Sequence, residues 1–139
     1  MKFPFVRPLA FTLVAASLAF AAEESNPIKD AMKYAHKAPK GEKKVSDRII
    51  DGTASDEELK KTLELYKAMD DAKPPKGDQA AFKEKVDKLI AATQEVIDKK
   101  PDAAAHYKEA VNCKACHSDF RLPPPGGPGA PGAPAPAPK

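Results

Sequence analysis

Apolar residues recur at helical spacing through the middle of the chain, and this pattern predicts amphipathic helices. In the segment 78–100, one continuous helical face carries Phe82, Val86, Leu89, Ile90, Thr93, Val96 and Ile97. In the segment 55–71, a second stripe consists of Leu59, Leu63, Tyr66 and Met69. No run of β-branched residues alternates with polar ones as a half-buried strand would. We therefore expect an all-α domain.

Proline and glycine mark the joints between the predicted helices. Breaks at 39–41, 51–52, 73–77 and 100–101 leave helices around 26–38, 42–51, 55–71, 78–100 and 102–121. The second of these is short. Ser55 and Glu58 have the spacing of a capping box, and Asp78 is a good helix cap. Helices with one apolar stripe and short joints pack as antiparallel bundles. We therefore expect a four-helix-bundle-like domain over residues 22–121, with an extra short helix.

The amino-terminal residues 1–21 have the pattern of a signal peptide. Lys2 and Arg7 precede an apolar stretch, and Ala19-Phe20-Ala21 offers small residues for cleavage. The apolar stretch is short for a membrane span, although an uncleaved anchor is the alternative. We expect cleavage near Ala21, a periplasmic or otherwise exported protein, and no stable membrane insertion after cleavage.

The other end, residues 122–139, is rich in proline, glycine and alanine. It has no large apolar side chain after Leu122, so it cannot bury a core and is expected to be a disordered tail. Charge adds little: the formal charge of +3 falls to +1 once Lys2 and Arg7 are removed. Lysines and glutamates are interspersed, without a basic stripe, so nucleic-acid binding is not expected.

The sequence Cys113-Lys-Ala-Cys116-His117 carries the strongest chemical signal in the chain. A disulfide across so small a loop would constrain the unfolded chain little. On a helix, the two thiols share one face and His117 follows one turn after Cys113. Both thiols can then bond to the vinyl groups of one haem while the imidazole reaches the iron. We expect one covalent haem c on the C-terminal helix, with His117 as the proximal iron ligand.

Two other interpretations of this motif are a zinc site and a thiol redox centre. Structural zinc takes four ligands, but the chain has no second cysteine pair. A thiol redox centre usually accompanies a βαβ pattern, which is not predicted here.

Three states are open for the sixth coordination position of the iron. Met32, on a helical face of the first segment, ranks first because thioether and imidazole are the usual ligands. His36, one turn further along that face, is the alternative, and an empty position is the third. His106 lies seven residues before Cys113 on the same predicted helix, which places it badly for the opposite haem face.

The run from Cys113 to Arg121 resembles the haem helix of class II c-type cytochromes, the cytochrome c′ group. In that family the motif lies near the C-terminus, an aromatic and a basic residue follow it, and its helix closes a four-helix bundle. Phe120 and Arg121 match those two positions as cofactor-binding residues, and the resemblance implies that Arg121 packs on the proximal side of the haem. Segments 32–37 and 73–77 also look like small exported bacterial monohaem cytochromes.

The resemblance also bears on function. Low-spin members take a methionine of the first helix as sixth ligand, and Met32 occupies a similar place. High-spin members leave that position open and bind small gases. We expect an electron carrier, not an enzyme, that meets a redox partner protein, and a homodimer is compatible with the family. The alternatives are a five-coordinate binder of nitric oxide or carbon monoxide, and a small peroxidase that uses His36.

Overall fold

The computed structural model describes residues 26–124 of the chain. They form the helices α1 (Pro27–Ala35), α2 (Val45–Ile50), α3 (Asp56–Asp70), α4 (Gln79–Ile97), α5 (Ala103–Ala110) and α6 (Cys113–Phe120). This range contains no strand, so the prediction of an all-α domain is confirmed for it. The predicted signal peptide and the tail from residue 125 onward lie outside the described residues. Between residues 26 and 124, no helix combines the length and apolar character needed to cross a membrane.

Both predicted caps are present and explain where the two longest helices begin. Ser55 Oγ accepts a hydrogen bond from the Glu58 N–H at 3.2 Å, and the Glu58 carboxylate accepts one from the Ser55 N–H at 3.0 Å. The Asp78 carboxylate accepts from the Ala81 N–H at 2.8 Å, so α4 begins at Gln79. These bonds satisfy backbone donors that have no partner inside the helix.

The two apolar stripes predicted from the sequence form the centre of the core. Helix α3 packs along α4, α4 also packs on α5, and α1 packs on α3. The α3 stripe is buried throughout, and on α4 Phe82, Val86, Leu89 and Thr93 are buried. The remaining three residues of the α4 face are partly buried against this core. Burial of each large apolar side chain is worth about 1.5–3 kcal/mol. The four-helix-bundle arrangement itself stays a prediction.

The prediction of one helix from residue 102 to about 121 was wrong, because the chain breaks at Val111 and Asn112. Val111 (φ −76°, ψ 65°) leaves the helical region, and the Asn112 side chain accepts from the Ala115 N–H at 3.0 Å. Asparagine side chains compete for backbone donors and favour caps over helix interiors. The cysteine motif therefore lies at the start of a separate short helix. At the other end, α5 begins at Ala103, two residues after Pro101.

Candidate functional site

A cleft between α1, α4 and the C-terminal segment gathers five residues that the sequence singled out. They are Met32, His36, Cys113, Cys116 and His117. The cleft has a cavity volume of about 230 Å³ and is partly open to solvent. The fold thus joins the two ends of the helical domain at one place.

Helix α6 supplies one wall of the cleft. Cys113, Cys116 and His117 all line it, as expected for positions that share one helical face. Cys113 and His117 are exposed, whereas Cys116 is half-buried. Burial is also the main reason that the pKa of the Cys116 thiol is raised. The motif therefore presents its reactive groups on the accessible side of the molecule.

Three contacts near its C-terminal end hold α6 in place. Phe120 is buried, and its ring meets that of Phe82 edge-on with 5.2 Å between centroids. The Lys76 ammonium donates to the Ser118 carbonyl at 2.9 Å. Gly77 (φ +84°) lies so close that an added Cβ would come within 2.7 Å of the Asp119 carbonyl oxygen. The joint before α4 thus fixes the position of the cysteine motif.

Helix α1 supplies the opposite wall, with Met32 and His36 one turn apart and both partly buried. Asn26 caps this helix by accepting from the Lys29 N–H at 3.0 Å. Ala31 and Ala35 are fully buried, so the small side chains of α1 let it lie closely on its neighbours. This wall is therefore part of the core.

A chain of hydrogen bonds connects His36, at the cleft, with two tyrosines that are buried in the core. The His36 Nε2 atom lies 2.8 Å from the Tyr66 hydroxyl, which lies 2.9 Å from the Tyr107 hydroxyl. Both tyrosines are fully buried. Burial, together with the nearby charge of Lys44, lowers the pKa of His36 to about 4. His36 is therefore a neutral imidazole at neutral pH.

Sequence reasoning missed this network. It placed Tyr66 in an apolar stripe and gave Tyr107 no role. One general rule could have indicated that such a network exists, because a buried tyrosine usually has a hydrogen-bond partner for its hydroxyl. The partner itself could not be named without knowing how α1, α3 and α5 pack.

The remaining lining of the cleft combines apolar and polar side chains. The apolar members are Leu89, Ala110, Val111 and Ala115, and the polar ones are Lys85, Lys88, Glu109 and Asn112. Side chains of the first group can shield a flat apolar cofactor from water. The second group contains two lysines and one glutamate, so the lining carries charges of both signs.

Other candidates from the sequence lie elsewhere. Phe120 and Arg121 are not among the lining residues, and Arg121 is exposed. Their implied contact with a haem stays a prediction. His106 is exposed on α5, with its Nδ1 atom 2.7 Å from the Glu95 carboxylate. Its predicted place on the haem helix was wrong because that helix is broken, and it does not line the cleft.

The donor set of the cleft fits a covalently attached haem. Two thiols at the required spacing stand beside an imidazole, with a thioether on the other wall. Across residues 26–124, no three or more His, Cys, Asp or Glu side chains form a group that could hold a metal ion by themselves. Comparison of the chain with protein-family models, curated proteins and solved structures finds no match.

Proposed function

We propose that this protein is a monohaem c-type cytochrome that transfers electrons outside the cytoplasm. The observation that supports the proposal is the meeting of the Cys-x-x-Cys-His motif with Met32 and His36 in one cleft. Along the chain, the two candidate sixth ligands lie at the first helix of the domain, and the motif lies on the last. The sequence resemblance to class II cytochromes points to the same function.

The motif residues have the clearest parts in this proposal. Cys113 and Cys116 would hold the haem through thioether bonds, and His117 would be a ligand of its iron. The bound haem would supply one-electron cycling between ferric and ferrous iron. Leu89 and Val111 line the cleft and would shield part of the haem from water. Ligands that stay bound in both oxidation states would limit the structural change that accompanies electron transfer.

Met32 is our first choice for the sixth ligand. Its thioether lines the cleft, whereas the Nε2 atom of its neighbour His36 is already paired with the Tyr66 hydroxyl. A thioether ligand would also raise the reduction potential relative to two imidazoles. His36 remains the alternative ligand in this proposal.

A redox protein would be the partner. Lys85 and Lys88 line the cleft and could attract an acidic surface of that partner. Such steering speeds a short-lived encounter and weakens as ionic strength rises. Export after cleavage near Ala21 would place that encounter in the periplasm.

The test is an absorption spectrum of the haem-loaded protein, ferric and ferrous, with and without carbon monoxide. We expect a sharp low-spin ferrous spectrum that carbon monoxide does not change. Met32→Leu should convert it to a spectrum that responds to carbon monoxide, because leucine keeps the volume but lacks the sulfur. Met69→Leu is the matched control, since Met69 is buried in the core away from the cleft.

A wild-type spectrum that is broad, high-spin and shifted by carbon monoxide would contradict electron transfer through a six-coordinate iron. It would favour the five-coordinate binder of nitric oxide or carbon monoxide.

A further inference from the structure

We propose, on the basis of the function above, that the Tyr66 hydroxyl is a positioning group that selects Met32 over His36 as the sixth iron ligand. Tyr66 would act by holding the His36 imidazole against the core. Tyr66 does not line the cleft and would not touch the haem itself.

The cleft presents two competing donors on the same helical wall. His36 follows Met32 by one turn of α1, and its backbone N–H donates to the Met32 carbonyl at 3.2 Å. Both side chains line the cleft. Imidazole nitrogen and thioether sulfur both bind haem iron in proteins. Position along the helix therefore does not by itself decide between them.

The side chains of His36 and Met32 differ in their other interactions. The His36 Nε2 atom lies 2.8 Å from the Tyr66 hydroxyl, and the two rings stack at 5.9 Å between centroids with 22° between planes. The stack fixes the orientation of the imidazole as well as its position. Within residues 26–124, the side chain of Met32 forms no hydrogen bond.

Tyr107 is the second hydrogen-bond partner of the Tyr66 hydroxyl. Its hydroxyl lies 2.9 Å from that of Tyr66, and both tyrosines have no exposed surface. A hydroxyl has one proton and two lone pairs, so Tyr66 can serve both partners at once. If His36 turned to the iron through Nε2, Tyr66 would lose a partner where no water can replace it.

The decisive variant is Tyr66→Phe, which keeps the ring and removes only the hydroxyl. The haem-loaded variant should lose most of the long-wavelength absorption band that marks a thioether on ferric haem. It should also gain a bis-imidazole electron paramagnetic resonance signal, and its reduction potential should fall. Tyr107→Phe is the matched control: it removes a neighbouring buried hydroxyl but leaves the Tyr66–His36 bond, so the thioether band should persist.

A rescue variant separates positioning from a general loss of structure. In Tyr66→Phe combined with His36→Gln, the competing imidazole is gone, and the thioether band should return to the wild-type intensity. His36→Gln alone should keep the band even if Tyr66→Phe does not fold. Loss of the band in His36→Gln would overturn the proposal, as would an unchanged band in Tyr66→Phe.

The outcomes distinguish this inference from the function on which it rests. A wild-type protein that carries no covalent haem overturns both. A wild-type protein with covalent haem and bis-imidazole ligation overturns only the selection by Tyr66.

Discussion

The two walls of the cleft differ in how deeply their residues are buried. The α1 wall is part of the core: Ala31 and Ala35 are fully buried, and His36 is bonded to buried Tyr66. The α6 wall lies mostly on the surface, with Phe120 as its one buried residue. The proposed function would use both kinds of wall, with thiols that a haem can reach on α6 and a candidate axial ligand held against the core at α1.

The largest effect is expected from Phe120→Ala, because this residue anchors the exposed wall. Loss of a buried phenylalanine should lower the free energy of unfolding by about 3 kcal/mol. Leu122→Ala is the control, since Leu122 is 51% exposed and should change stability by no more than about 0.5 kcal/mol. Chemical denaturation followed by circular dichroism measures both. Equal effects of the two variants would mean that Phe120 does not anchor α6.

A matched pair of glycines tests how closely α6 is held. Gly77 (φ +84°) and Gly52 (φ +68°) both have left-handed backbones, so alanine at either should cost about 1–2 kcal/mol. Only at Gly77 would the new Cβ meet α6, at 2.7 Å from the Asp119 carbonyl oxygen, while nothing lies within 4 Å at Gly52. We expect Gly77→Ala to be more destabilising than Gly52→Ala by a further ~1 kcal/mol in thermal or chemical unfolding.

Equal destabilisation by the two glycine variants would show that α6 moves aside at little cost.

The caps of the two walls allow a finer comparison. Asn26 and Asn112 each accept a hydrogen bond at 3.0 Å from the N–H three residues later. Replacement by alanine should weaken either cap by about 1 kcal/mol. Asn26→Ala should lower the global free energy of unfolding, because α1 packs on α3. Asn112→Ala should mainly speed hydrogen exchange at the Ala115 amide through local opening of α6. A purely global effect of Asn112→Ala would contradict local opening at the start of α6.

The smallest effect concerns His106, which lies outside both walls. Its hydrogen bond to Glu95 and the charge of that carboxylate raise the pKa of His106 above the usual value. The interaction is therefore complete below about pH 6.5 and is lost as the pH rises through the raised pKa. NMR titration should show Glu95→Gln returning the His106 pKa toward the usual value. An unchanged titration would mean that the pair does not form in solution.

The sequence predicted the parts of this molecule that depend on local spacing. The stripes of α3 and α4, the caps at Ser55 and Asp78, and the shared face of the two cysteines all follow from neighbours along one helix. All of these local features are present in the structure. The meeting of Met32 and His36 with the motif was also an expectation of the sequence, carried by the resemblance and by the few possible ligands.

The features that escaped prediction depend on contacts between helices or on weak local preferences. The break at Val111 and Asn112 reflects small preferences that a continuous helical pattern hides. The Tyr66–Tyr107–His36 network joins three helices, so no spacing along the chain reveals it. The role of Gly77 against α6 likewise appears only once the joint and the helix are placed side by side.

A haem bonded to Cys113 and Cys116 is the central feature of the proposed function. The measurement is the mass of the mature protein under denaturing conditions, after production in cells that attach haem to a control c-type cytochrome. We predict the mass of the chain plus one haem, and loss of that haem in the Cys113→Ala/Cys116→Ala double variant. A wild-type chain without added haem mass, in cells that load the control, would contradict the account.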